Sequence, residues 1–295
     1  MDAAGRSRLW LAAMPWVFVM IWSTGFIVAR YGMPHAPPMT FLAWRYALSV
    51  VAFMVWLRLA QVPLPPRDQW AHLAMGGLLL HAGYLGGVWA AVRLGAPAGA
   101  VALVVGLQPL LTALWLRVNE GLRPMPLQWL GLAAGFVGVA LVVWRRLQGD
   151  GMTPVNLALC ALALVSITAG SLYQKRFVRP GDPRAANLIQ LAAAFVVTWP
   201  LALLETDQLH WHPQLIGAMA WSVLVLTLGG SSLLILLIQR GAATQVASLM
   251  YLVPPGTALM AWALFGEALT PTVVAGMALA AVGVALVMRP TPPAG

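Results

Sequence analysis

The chain has 295 residues, of which 61% are hydrophobic and 8% charged, with a mean hydropathy of +0.82. That composition excludes an ordinary water-soluble domain, whose surface needs about a quarter charged residues. The net charge of +9 does not point to nucleic acid, because the Lys and Arg residues sit at the ends of apolar runs rather than on one basic surface.

Apolar runs of about 20 residues, each long enough to cross a bilayer, recur along the chain. With breaks set by Pro, Gly and charge, they predict an all-α integral membrane protein with ten transmembrane helices near 11–31, 38–59, 70–93, 97–117, 126–145, 153–177, 184–204, 213–238, 242–264 and 270–289. The first run is longer than a signal-peptide core and lacks a small-x-small cleavage site, so it reads as a retained helix. An even helix count puts both termini on one side. That side collects Arg6, Arg8, Arg58, Arg67, Arg117, Arg123, Lys175, Arg176, Arg179, Arg184, Arg240 and Arg289, against Arg30, Arg93, Arg145 and Arg146 on the other. Both termini are therefore expected in the cytoplasm, with the chain multi-pass in the cell (inner) membrane.

Polar and aromatic residues deep in these runs are the candidates for function, since each needs a partner, a cavity or a ligand. The first helix offers Trp22 and Ser23; the third offers His81, Tyr84 and Trp89 among Gly83, Gly86 and Gly87. The fourth offers Gln108 beside Pro109, the eighth Ser231 and Ser232, and the ninth Tyr251 beside Pro254 and Pro255. Ser166, Thr168, Ser171, Tyr173 and Gln174 give the sixth a polar face, whereas the fifth and tenth carry almost nothing polar. A central cavity lined by helices one, three, four, six, eight and nine follows. Each residue also has a plainer use: a membrane Ser or Thr commonly bonds its own helix carbonyls, and His81 suits a hydrogen-bonded structural role as well as a proton carrier. Arg45 is the basic residue well inside a helix. It either snorkels to the outer interface or, facing the cavity, suits a carboxylate.

All eight acids fall in termini or at loop ends. An antiporter of permanent cations needs an intramembrane carboxylate, so that class is disfavoured. The HxH of His210 and His212 lacks helical zinc spacing, GGSS at 229–232 lacks a nucleophile elbow, and no phosphate-binding glycine loop precedes a lysine. No metal, cofactor or enzymatic activity is expected. Cys160 has no partner cysteine and reads as a small core residue.

The chain also repeats itself. A shift of 146 superposes Gly95 on Gly241, Leu103 on Leu249 and Pro109 on Pro255; 147 aligns Glu120 with Glu267; 145 aligns Gly131 with Gly276, Gly138 with Gly283 and, more faintly, Gly25 with Gly170 and Arg45 with Gln190. Two five-helix units, 11–145 and 153–289, result. Five being odd, the second enters the membrane from the opposite side, which makes the repeats inverted. Gly131xxxGly135, Ala134xxxGly138, Gly276xxxAla280 and Gly83xxxGly87 supply close-packing faces, and Glu120 and Glu267 read as helix-end or gate residues at opposite membrane faces.

The WSTGFIVAR segment, RYALSV, the LGAPAGAVALVVGLQPLLTAL block with Glu120 and QWLGLAAGFVGVALVV, and its echo with Glu267 resemble the EamA-type branch of the drug/metabolite transporter superfamily. The resemblance covers essentially the whole chain and is not specific to a substrate. It implies a central cavity between two repeats and an exporter; similar members mostly export amino acids and other small metabolites, including aromatic amino acids and methyl viologen. The expectation is an alternating-access exporter of small amphipathic metabolites, amino acids foremost. Trp22, Tyr84, Trp89 and Tyr251 would give stacking surface. Ser23, Gln108, Ser231 and Ser232, with His81 nearby, would give hydrogen bonds, and Gly83, Gly86, Gly87, Pro109, Pro254 and Pro255 would give hinges. The expected partners are the substrate and the lipid bilayer, the protein being a monomer or homodimer. The alternatives are an exporter of drugs or nucleotide-sugar-like metabolites, an intramembrane enzyme, and a non-transporting membrane subunit.

Overall fold

A computed structural model describes residues 3–120, 126–149, 152–230, 233 and 252–287. These form helices and connecting turns only. In chain order they are α1 (Ala3–Gly32), α2 (Pro38–Leu59), α3 (Arg67–Arg93), α4 (Ala98–Val105 continuing as Gln108–Glu120), α5 (Pro126–Gly149), α6 (Pro154–Phe177), α7 (Pro183–Leu203), α8 (Pro213–Gly229), α9 (Val253–Phe265) and α10 (Pro271–Val287). Six of them are long and apolar enough to span a bilayer, and the described parts of the others are shorter apolar helices. The expected count of ten holds, and so does the all-α class.

Local sequence explains where the helices start and stop. Pro38, Pro126, Pro154, Pro183, Pro213 and Pro271 each open a helix, where the missing N–H is not needed and φ is already helical. Thr153 and Asp182 cap their helices by accepting from the backbone N–H groups of Asn156 and Arg184. Gly95 (φ 91°) turns α3 into α4 and Gly266 (φ 67°) ends α9, a left-handed conformation that only glycine adopts without strain.

Packing follows the repeat. α2 lies against α7, α4 against α9 and α5 against α10, while the α3–α6 contact across the halves is answered by the α8–α1 contact. This is the pairing that an inverted duplication produces. α5 and α10 meet through glycines: a Cβ on Gly138 would sit 2.5 Å from the Gly276 carbonyl, and one on Gly283 would sit 2.6 Å from that of Gly131. Gly83 and Gly87 serve α3 in the same way, against Ser166 and the Leu159 carbonyl of α6. Outward-facing Val51, Val55, Leu162, Val165 and Val196 are exposed, as a lipid-facing surface requires. Two buried hydroxyls bond within their own helices, Thr168 to Leu164 O and Thr198 to Ala194 O, both at 2.7 Å.

Two helices depart from α geometry at matching places. Leu78–Gly83 of α3 and Trp221–Gly229 of α8 are π-helical, and both end on glycines that the repeat superposes, Gly83 and Gly229. Such widened turns commonly mark functional segments.

Candidate functional site

A cavity of about 1750 Å³ runs into the bundle between the two halves. Its mouth lies between the α2–α3 turn, at Pro63–Pro66, and the α6–α7 turn, at Val178–Pro183. From there it passes Gln69, Lys175, Gln174 and Thr112 and reaches Trp22, Tyr84, Val88 and Trp89. Among the described residues Asp182 is the one acid in this wall. It stands at the mouth, where Arg184 grips both carboxylate oxygens at 2.6–3.2 Å, and that hydrogen bonding holds its carboxyl below the usual range despite an opposing effect of burial.

The other end is sealed by the turn after α7. Glu205 accepts from the N–H groups of Met39 and Thr40 at 2.9 and 2.8 Å and from the Thr40 hydroxyl at 2.8 Å, capping α2. Arg93, ending α3, donates to Asp207 and to the Met33 carbonyl. The His210 N–H donates to His35 O at 2.8 Å, and the His35 ring stacks on His212 at 4.2 Å and bonds Gln214 at 2.9 Å. Glu267 accepts from Ala98 N and Gly99 N at the start of α4, which gives it the helix-end position expected of it. The Glu120 side chain lies outside the described part.

Of the residues singled out in the sequence, Trp22, His81, Tyr84, Trp89, Gln108, Pro109, Pro254 and Pro255 all line the cavity. Trp89 forms part of its floor, 1% exposed and stacked on Phe41 at 4.3 Å. Gln108 donates to Ser171 Oγ at 2.9 Å and Ser171 to Ile167 O, tying α4 to α6. Ser23 is elsewhere: it is fully buried, its hydroxyl donating to Val19 O at 2.8 Å while its own carbonyl accepts from Thr257 of α9. Gly83 and Gly87 face α6 and Gly86 faces Met39, outside the cavity wall. Ser231, Ser232 and Tyr251 lie outside the described residues.

The wall is also wider than six helices. α2 and α7 contribute Arg45 and Gln190, and α5 and α10 contribute Gln128, Leu132, Met277 and Ala280. Arg45 does not snorkel outward. It is 8% exposed, and its guanidinium donates to Thr227 Oγ1 of α8 at 3.3 Å. Gln190 and Thr227 are not marked as site residues by hydropathy; the sequence signal that points to Gln190 is its alignment with Arg45.

A bundle of apolar helices in two inverted repeats, with a large cavity open at one end and sealed at the other, defines the protein as a membrane transporter. The comparisons specify which kind. The EamA-like transporter family matches residues 10–144 and 155–289, so the chain belongs to that family. It is 29% identical over 270 residues to the uncharacterized inner membrane transporter YedA of Escherichia coli K12, covering 90% of this chain and 86% of that one. It is 25% identical over 276 residues to a probable amino-acid metabolite efflux pump of Salmonella typhimurium, covering 90% of each. A crystal structure with 20% identity superposes with a TM-score of 0.65 over 93% of this chain and 96% of that one, showing a shared fold. The chain is thus a multi-pass inner-membrane transporter.

Proposed function

We propose that the protein exports small amphipathic metabolites, amino acids first among them and aromatic ones included, by alternating access. The observation that carries this reading is the cavity itself. It is large enough for an amino acid, walled by Trp22, Tyr84 and Trp89, and basic at Arg45, while its one described acid is already paired at the mouth. That chemistry suits a substrate with an apolar body and a carboxylate, and it opposes a permanent cation. The relative named as an amino-acid metabolite efflux pump supports the same class.

The mouth belongs to the side that collects Lys175, Arg176, Arg179 and Arg184. By the positive-inside rule this side is cytoplasmic, as are both termini. The conformation described is then the loading state of an exporter, open inward and sealed outward by Glu205, Arg93 and Asp207. Transport needs no enzymatic step and no bound cofactor. Uptake of a panel of labelled amino acids into proteoliposomes of the purified chain tests the reading. Saturable flux of at least one, competed by its unlabelled form, is expected. Absence of saturable flux for every amino acid, with flux for drugs or nucleotide sugars instead, would move the assignment to those substrates.

A further inference from the structure

Arg45 poses a physical problem that the fold alone does not solve. It is 8% exposed in the wall of the cavity, its Nε has no hydrogen-bond partner, and no carboxylate pairs with it among the described residues. Its one hydrogen bond goes to Thr227 Oγ1, a neutral oxygen whose own proton is committed to Ser222 O at 2.8 Å. A buried guanidinium in that state is costly unless something satisfies it.

The inverted repeat supplies an internal control. Arg45 on α2 meets Thr227 in the π-turn of α8; at the equivalent place α7, which carries Gln190, packs on the π-turn of α3, which carries His81. The shifts that relate the halves carry Arg45 onto Gln190 and His81 onto Thr227. The same packing problem is therefore solved with a neutral amide in one half and a cation in the other. Packing does not require the charge, so the charge answers to something else. Gln190 Nε2 is likewise buried, unpartnered and in the cavity wall, so the unpartnered nitrogens of both halves are donors.

We infer that Arg45 is the anion site of the cavity: the carboxylate of the transported molecule docks on its guanidinium, and Gln190 Nε2 supplies a second donor from the opposite half. The inference rests on the transporter reading and narrows its substrates to carboxylate-bearing molecules. A guanidinium presents paired N–H groups that fit a carboxylate side by side, and among the described residues the one acid of the cavity wall, Asp182, is held by Arg184 at the mouth.

The test is binding by the purified full-length chain of two matched pairs of probes, benzoate against benzamide and L-phenylalanine against L-phenylalaninamide, followed by thermal shift and titration. The wild type is expected to prefer each carboxylate roughly tenfold, Arg45→Gln to lose the preference, and Arg45→Lys to keep part of it. Preference for benzoate without any response to phenylalanine supports the anion site while removing the amino-acid reading. No carboxylate preference in the wild type, or an undiminished one in folded Arg45→Gln, overturns the inference. Should Arg45→Gln not fold, phenylglyoxal modification of Arg45 in the wild type, read by mass spectrometry, decides. Protection by benzoate and not by benzamide is expected, and equal modification with both contradicts the site.

Discussion

Single side chains divide sharply between those that hold the bundle and those that face the cavity. Trp89 does both: stacked on Phe41 and 1% exposed, it loses about 3–5 kcal/mol of packing when cut to alanine, so Trp89→Ala should lower the yield and melting temperature of folded protein. Trp22 is partly exposed to the cavity, with Phe18 beside it at 5.4 Å. Trp22→Ala should leave melting nearly unchanged and raise KM for an aromatic amino acid roughly tenfold, a loss of about 1.4 kcal/mol, while sparing alanine; equal losses for both substrates would remove the stacking role. At the mouth, Arg184 holds the Asp182 carboxyl below its ordinary range. A carboxyl depressed in the folded state stabilises above its unfolded pKa and ceases to do so as pH falls through the folded one. The melting temperatures of the wild type and Asp182→Asn should therefore differ most near neutrality and converge below about pH 4.

The elements show how far one-dimensional reading reaches. Ten helices, their proline starts and their duplication are written in local runs of residues, and the α5–α10 contact is announced by its spaced glycines. There a branched side chain meets backbone, with the Gly276 carbonyl 2.5 Å from any Cβ on Gly138. Gly138→Val should cost about 1–3 kcal/mol, seen as a drop in melting temperature. Other features were not legible, for physical reasons. Hydropathy places Arg45 at a depth but carries no azimuth, so its choice between snorkelling and facing inward awaited the position of Thr227 on α8. The same holds for Ser23, whose hydroxyl turns back to its own helix. The cap of Glu205 on α2 joins residues 165 apart along the chain, beyond any local pattern. No periodicity in the sequence marks the two π-turns, and only their superposable glycines hint at them.

At the scale of the whole molecule the two halves are alike in scaffold and unlike in charge. The shared α2–α7, α4–α9 and α5–α10 pairings give the bundle its internal symmetry, while Arg45 against Gln190 makes the cavity polar in one direction. The two ends of the cavity also differ in this state. Arg93, Glu205 and Asp207 close one end; at the other, Arg179 of the α6–α7 turn reaches Asp68 and Gln69 in the first turn of α3, and the cavity meets the surface beside this contact, between Pro63–Pro66 and Val178–Pro183. Alternating access requires the closed end to open once per cycle. The direct measurement is flux of labelled L-phenylalanine through proteoliposomes of a variant carrying Arg93→Cys and Asp207→Cys in a Cys160→Ser background, before and after bridging the pair with a short dithiol-specific cross-linker. Bridging should reduce flux to the background of empty liposomes, and cleaving the bridge with reductant should restore it. Undiminished flux through fully cross-linked protein would contradict a pathway that opens between α3 and the turn after α7.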